Sequence, residues 1–175
     1  VASLTTTLLA SLIAIPLSLA VAVYIAEIAH PVAKEIFKPG IEIIASIPSV
    51  ILGFFGLVVI APFFQNVLHI KIGVNMLNAS IMLAFMAIPT IASISEDAIS
   101  SVSNSLKEAS YALGANRWQT IFHITLPAAL SGISTAVILG ISRVMGETMV
   151  VLMVAGGSTV FPKSIFSPVR PLTGN

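Results

Sequence analysis

The chain has 175 residues, of which 57% are hydrophobic and only 9% are charged, and its formal net charge at pH 7 is +1. A water-soluble domain usually carries about 25% charged residues, so a mean hydropathy of +1.04 excludes that class and predicts a surface that faces lipid. The small net charge also excludes a nucleic-acid partner, because no basic patch is present to neutralise phosphates.

Long segments without charge predict the membrane spans. A hydrocarbon core about 30 Å thick is crossed by roughly 20 apolar residues of helix. Four segments are long enough, and they predict spans at about 3–26, 43–65, 77–95 and 128–155. None shows the alternation of a transmembrane β-strand. The predicted fold class is therefore an all-α membrane protein, a polytopic bundle of transmembrane helices.

The ends of the chain lead to one further expectation. The chain begins inside an apolar run, ends in an unfinished loop and shows no signal-peptide pattern. We therefore expect residues 1–175 to form a single membrane domain that is an internal piece of a longer protein. The first and third loops carry four basic residues against three on the opposite side, so charge alone does not orient it.

Prolines interrupt three of the predicted spans, at Pro16, Pro48 and Pro89, and Gly53 and Gly56 follow the second of them. Each proline removes a helical hydrogen bond. Such breaks are tolerated at membrane depth where neighbouring helices or a polar cavity satisfy the freed groups. Two interpretations stay open: kinks that allow close packing through small residues, and flexible helices that line a transport path.

The polar segment 96–123 predicts two short helices joined by a turn. Ser105 followed by Glu108 is a capping-box pattern at the start of the first helix. Gly114 suits the left-handed position that ends a helix. Asn116, with a glutamine three residues later, predicts a capping box for the second helix.

The first of these helices is predicted to be amphipathic. Leu106, Ala109 and Leu113 fall on one of its faces. Such a face packs either against helices of the same subunit or against a separate protein in the cytoplasm.

The spacing in this segment resembles the EAA loop of ABC importer permeases. That pattern is Glu-Ala-Ala, three residues, Gly, nine residues, Ile, any residue and Leu-Pro. Here Glu108, Ala109, Ser110, Gly114 and residues 124–127 keep every offset, with Ser110 in place of the second alanine. The resemblance implies the type I ABC importer permease fold. It also implies that Glu108, Ala109, Ser110 and Gly114 dock as a cytoplasmic coupling helix onto an ATP-binding subunit.

Three further segments, at 47–57, 140–149 and 166–173, resemble the phosphate-specific importer permeases of the C-subunit type. This resemblance implies a multi-pass protein of the cell membrane. It further implies three partners: an ATPase subunit, a second homologous permease and an extracytoplasmic phosphate-binding protein. ATP would bind to the ATPase partner, and this chain itself would hold no cofactor. The chemistry of the residues leaves sulfate and molybdate open as alternative substrates.

Two charged residues, Arg143 and Glu147, lie near the middle of the fourth predicted span. An ionised side chain at the bilayer centre costs about 2.5–3.5 kcal/mol, so such residues are buried, paired or in contact with a watery path. Their i, i+4 spacing predicts that they face each other on one side of a helix. Either they form a structural ion pair, or Arg143 attracts a passing oxyanion with its guanidinium fork while Glu147 holds it in place.

Other functions are disfavoured by missing motifs. The chain has no glycine-rich phosphate-binding loop, so it is not itself the ATPase. It lacks a metalloprotease motif, a serine–lysine pair and a carboxylate pair inside a span, which disfavours an intramembrane enzyme. His30, His69 and His123 are scattered, and no cysteine occurs, so no metal site is predicted. A gradient-driven secondary transporter would explain Arg143 but leaves the EAA spacing to chance. We therefore expect a transport component without a catalytic residue.

Overall fold

The computed structural model describes residues 2–67, 69, 73–156 and 168–169. The regular elements of the described residues are all helices, and the one β-contact among these residues is an isolated bridge between Gly156 and Val169. The α-helices are α1 (Ala2–Val23), α2 (Pro31–Ala45), α3 (Ser49–Phe55), α4 (Ala61–Val67), α5 (Met76–Ser100), α6 (Asn104–Ala112), α7 (Arg117–Thr120), α8 (Leu126–Ala128), α9 (Leu130–Met145) and α10 (Met149–Val154). Three π-helical turns, Tyr24–Ile28, Gly56–Ile60 and Ile121–Thr125, connect consecutive helices.

Three continuous helical segments of the described chain are long and apolar enough to cross a membrane: Ser3–Ile28, Ser49–Val67 and Met76–Ser100. A fourth crossing requires Arg117–Ala128 and Leu130–Met145 to be taken together, and these two helices meet at an angle of 68°. Two predicted spans therefore differ from the structure. The second starts at Ser49 rather than at residue 43, because Pro48 ends the preceding helix. The fourth is bent near its start and its helix ends at Met145 instead of running to residue 155.

Helix α5 is the central element. It is packed along its length by α1, and small residues occupy the buried face of α1. Ala10, Ala14 and Ser18 are fully buried, and the Ser18 hydroxyl donates to the Ala14 carbonyl at 2.6 Å. The opposite face of α1 exposes leucines such as Leu8. Small residues let the two backbones approach closely, which is how helices associate in a medium as apolar as their own side chains.

The prolines act differently in the three helices that contain or follow them. Pro16 and Pro89 lie within the continuous helices α1 and α5, whereas Pro48 separates α2 from α3. Gly56 is buried where α3 meets α5 and α10, and a Cβ atom there would approach a side-chain carbon of Met82 to 2.8 Å. This contact favours the packing interpretation for the glycines that follow Pro48.

A cluster of charges holds α2 against the end of α5. The Glu96 carboxylate is 2% exposed, and it accepts ion pairs from Lys34 Nζ and Lys38 Nζ, each at 2.8 Å. The Ser100 hydroxyl donates to Glu96 Oε1 at 2.6 Å. Hydrogen bonds to Asp97 and Glu96 raise the pKa of the Lys38 ammonium above its usual range. These contacts hold α2 against the last turns of α5.

Helices α5 and α9 meet at Gly140, where a Cβ atom would come within 2.6 Å of Ile91 Cδ1. We expect Gly140→Ala to destabilise the full-length protein by about 1–3 kcal/mol, because an added methyl overpacks a contact with a stiff β-branched side chain. The measurement is the thermal unfolding midpoint in detergent. Gly40→Ala is the matched control, since nothing lies within 4 Å of the added Cβ at that position. Equal midpoints for the two variants would contradict close packing at Gly140.

Candidate functional site

Two short helices, α6 and α7, form the polar loop that follows α5. Asn116 caps α7: its Oδ1 accepts from the Gln119 amide at 2.9 Å, and Gln119 Oε1 accepts from the Asn116 amide at 2.8 Å. The predicted capping box is therefore confirmed. Gly114 has φ of +84°, which confirms its left-handed position after α6.

The start of α6 differs from the prediction. The helix begins at Asn104, and the residue that caps it is Ser103, whose Oγ accepts from the Ser105 amide at 3.3 Å. The expected capping box of Ser105 with Glu108 was therefore wrong. The reason is local competition: a second serine two residues earlier in the chain offers the same hydroxyl, and the helix starts there.

The predicted docking residues do not all face outward. Glu108, Ala109 and Gly114 are exposed, but Ser110 is only 8% exposed. Its hydroxyl lies 2.9 Å from the Thr120 hydroxyl, which is also buried. Ser110 therefore joins α6 to α7 inside the loop, and its side chain is not part of the outer surface.

An exposed apolar residue completes the outer surface of this loop. Leu113, next to Gly114, is 90% exposed, and Leu106 is half exposed on the same helix. The sequence had placed both on an apolar face without deciding what that face contacts. In the structure Leu113 and Ala109 are exposed and Leu106 is half exposed, so the described part of the chain leaves most of this face uncovered. We call Leu106, Glu108, Ala109, Leu113 and Gly114 the docking face.

Arg143 and Glu147 do not face each other. Helix α9 ends at Met145, and Gly146 is its C-cap, so the helical geometry assumed for the i, i+4 pair is not formed. Glu147 lies in the following turn, where its Oε1 accepts from the amides of Met149 at 3.0 Å and Val150 at 3.3 Å. The prediction that Glu147 holds Arg143 was wrong, because the helix ends between them and the Glu147 carboxylate accepts from the start of α10.

Arg143 instead contacts two neutral oxygen atoms from distant parts of the chain. Its Nη1 donates to Thr90 Oγ1 at 2.6 Å, and its Nη2 donates to the Ala45 carbonyl at 3.1 Å. Ala45 is the last residue of α2, and carbonyls at a helix end lack an intrahelical donor and carry partial negative charge. The break at Pro48 therefore creates the acceptor that Arg143 uses.

No carboxylate of the described residues lies within 4.0 Å of the Arg143 guanidinium. Arg143 is half-buried. A hydroxyl and a carbonyl hold its guanidinium in place, and neither group carries a full negative charge that would neutralise it. Sequence reasoning missed Thr90 and Ala45, because they lie 53 and 98 residues away and show no local pattern. Across the same described ranges, no group of three side chains suits a metal ion.

Comparison with known proteins identifies the family. A family described as "Binding-protein-dependent transport system inner membrane component" matches residues 4–169. The chain belongs to this family. Membership confirms the predicted membrane location, because the family is described as an inner membrane component.

Individual relatives agree with this family. The chain is 45% identical over 171 residues to the probable ABC transporter permease protein YqgH of Bacillus subtilis. The match covers 98% of this chain and 55% of that protein. It is 33% identical to the phosphate transport system permease protein PstC of Pasteurella multocida, over 96% of this chain and 58% of that protein. The chain thus spans little more than half the length of the curated relatives it matches.

A solved structure confirms the fold. An inward-facing structure of the MetNI methionine ABC transporter matches with a TM-score of 0.71 and 25% identity, over 83% of this chain and 67% of that one. The predicted all-α fold of an ABC importer permease is therefore confirmed.

Gly114 provides a test of the loop geometry. We expect Gly114→Ala to destabilise the turn between α6 and α7 by about 1–2 kcal/mol, because a Cβ atom opposes left-handed backbone. Nothing lies within 4 Å of the added Cβ, so packing does not contribute. Gly114→Asn is the control, since asparagine tolerates this conformation better. Amide hydrogen exchange across 105–120 in the full-length protein measures the effect, and equal protection in both variants would contradict the assignment.

Proposed function

We propose that the full-length protein is the membrane-spanning permease of an ATP-driven importer for inorganic phosphate. It forms the translocation path, and a separate ATPase subunit binds and hydrolyses ATP. The observation that carries the proposal is Arg143, a half-buried cation whose contacts are neutral oxygens. The names of the PstC relatives support phosphate, whereas the name of YqgH is generic.

The geometry around Arg143 suits an oxyanion. A guanidinium carries five donors in a planar fork that matches phosphate oxygens. Two of its nitrogens are used by Thr90 and Ala45, which orient the fork while leaving its charge in place. An arriving anion would gain a charge-assisted contact with little reorganisation of Arg143. The Thr90 hydroxyl lies 2.6 Å from Arg143 Nη1, so the same anion would also be within its reach.

Glu147 has a different proposed role in the same path. Its carboxylate accepts from the first amides of α10 and thereby fixes the turn that follows Arg143. We assign it to the wall of the path, where it fixes the backbone between the end of α9 and the start of α10. It keeps its negative charge away from Arg143, so the charge available to an anion is not neutralised.

The docking face supplies the contact with the ATPase. It combines an exposed carboxylate, Glu108, with exposed apolar residues such as Leu113 on a rigid turn. Leu113 is 90% exposed, and a partner that covers it would gain by removing its apolar surface from water. Ser110 contributes indirectly, because its hydrogen bond to Thr120 holds the two helices of the loop together.

A second homologous permease and an extracytoplasmic phosphate-binding protein complete the proposed assembly. The description of the family as part of a binding-protein-dependent system supports the second of these partners. The same site would accept sulfate or molybdate, since each presents oxygen atoms to the fork. A gradient-driven transporter would have no use for the docking face.

Arg143→Gln tests the path. We expect phosphate uptake to be abolished, because glutamine retains N–H donors but removes the charge that attracts the anion. Uptake of radiolabelled phosphate is measured in cells without another phosphate importer, at matched expression and with the ATPase retained. Thr90→Ser keeps the hydroxyl beside Arg143 and should preserve uptake. Normal uptake by Arg143→Gln would remove Arg143 from the mechanism.

Glu108→Lys tests the docking face. We expect this variant to lose its ATPase during affinity purification of the full-length protein, because charge reversal at the centre of an interface introduces repulsion or leaves a partner unpaired. Glu35→Lys reverses an exposed carboxylate on α2 and should retain the ATPase. Recovery of an intact complex with Glu108→Lys would contradict docking through this residue.

A further inference from the structure

We call α6, α7 and the turn at Gly114 between them the docking loop. Both of its helices contact Glu27, which lies near the end of the first membrane-spanning segment, Ser3–Ile28. Lys107 Nζ lies 2.6 Å from Glu27 Oε1, and the Arg117 guanidinium donates to the Glu27 carbonyl oxygen. Lys107 belongs to α6 and Arg117 to α7, and they lie 80 and 90 residues from Glu27 in the chain. One residue therefore anchors both arms of the loop.

The pair of Lys107 and Glu27 is shielded from water. The Lys107 side chain is 16% exposed and that of Glu27 only 9% exposed. An exposed lysine–carboxylate pair holds its geometry weakly, because water and salt screen it. A shielded pair is screened much less, and loss of one partner leaves a charge without compensation. This contact therefore resists being pulled apart when the loop is pushed.

The loop that Glu27 holds is itself stiff. The buried hydrogen bond from Ser110 to Thr120 ties α6 to α7, and the capping box of Asn116 and Gln119 closes the start of α7. A force on the docking face therefore moves both helices together. That movement reaches α9 through the chain and reaches α1 through Glu27.

The end of α1 is suited to receive this movement. Glu27 lies in the π-helical turn Tyr24–Ile28, an irregular turn of the kind that is frequent at functional sites. The helix that precedes this turn, α1, packs along α5, and α5 carries Thr90. Thr90 contacts Arg143. A continuous series of contacts therefore runs from the docking face through Glu27, α1 and α5 to the proposed anion site.

We infer that Glu27 is a positioning residue for coupling: it links the docking loop to α1, so that closure of the ATPase moves α1 and α5 as well as α9. This inference rests on the proposed function, because it requires an ATPase bound to the docking face. Glu27 does not touch ATP or the transported anion in this role. It acts through Lys107 and the main chain that Arg117 holds.

The test uses the full-length protein reconstituted in liposomes with its ATPase, its partner permease and its binding protein. Two quantities are measured together, inorganic phosphate transported and ATP hydrolysed. We expect Glu27→Gln to keep the ATPase bound and active but to lower the phosphate transported per ATP by about fivefold or more. This is the lower end of the factors by which two coupled sites affect each other. Lys107→Gln should give the same defect.

Two controls separate coupling from folding. The double variant Glu27→Lys/Lys107→Glu restores opposite charges and should recover much of the transport ratio. Glu35→Gln removes an exposed carboxylate of α2 that forms no ion pair with the described residues, and should behave as the unmodified protein. If Glu27→Gln does not assemble, Lys107→Gln and the double variant carry the test.

The outcomes distinguish the inference from the proposal beneath it. An unchanged ratio in Glu27→Gln and Lys107→Gln, with the ATPase bound, would overturn the inference and leave the proposed function intact. A lower yield or thermal midpoint with an unchanged ratio would show a merely structural role, and would overturn it too. Failure of the unmodified protein to bind any ATPase would overturn the proposed function and this inference with it.

Discussion

Close packing around α5 is the constraint on which the rest of the structure depends. In lipid, helices gain little from burying apolar side chains, so association relies on backbones that approach closely. Of the apolar window of α5, 61% is buried, compared with 28% for the segment Ser3–Ile28 and 22% for Ser49–Val67. Small residues such as Ala14 and Gly140 make this approach possible from two sides.

The irregular positions of the helices have a chemical consequence. A regular helix presents no backbone acceptor to its neighbours, because its carbonyls are used internally. The break at Pro48 ends α2 and leaves the Ala45 carbonyl to accept from Arg143. Gly146 ends α9 and turns Glu147 toward the start of α10. These two breaks separate a positive and a negative charge that an uninterrupted helix would have placed together.

Charged contacts hold the elements outside the packed bundle. Glu96 fixes α2 to the end of α5, and Glu27 fixes the docking loop to the end of α1. Both carboxylates lie near helix ends and are largely shielded. Glu96 pairs with two lysines of α2, and Glu27 pairs with Lys107 of α6. The permease fold thus combines neutral, close packing at membrane depth with ionic contacts at one end of the bundle.

The amino-acid sequence alone determined the properties that depend on neighbouring residues. A scarcity of charge decided the membrane class, and fixed offsets from Glu108 to Gly114 indicated the loop of an importer permease. Local hydrogen bonds decided the turn at Gly114 and the cap at Asn116. Only the tertiary structure decided that Ser110 faces inward, that Arg143 contacts Thr90 and Ala45, and that Glu27 anchors the loop. Those contacts join residues ten to ninety-eight positions apart, and their geometry depends on where helices break and how closely they pack, which no local periodicity encodes.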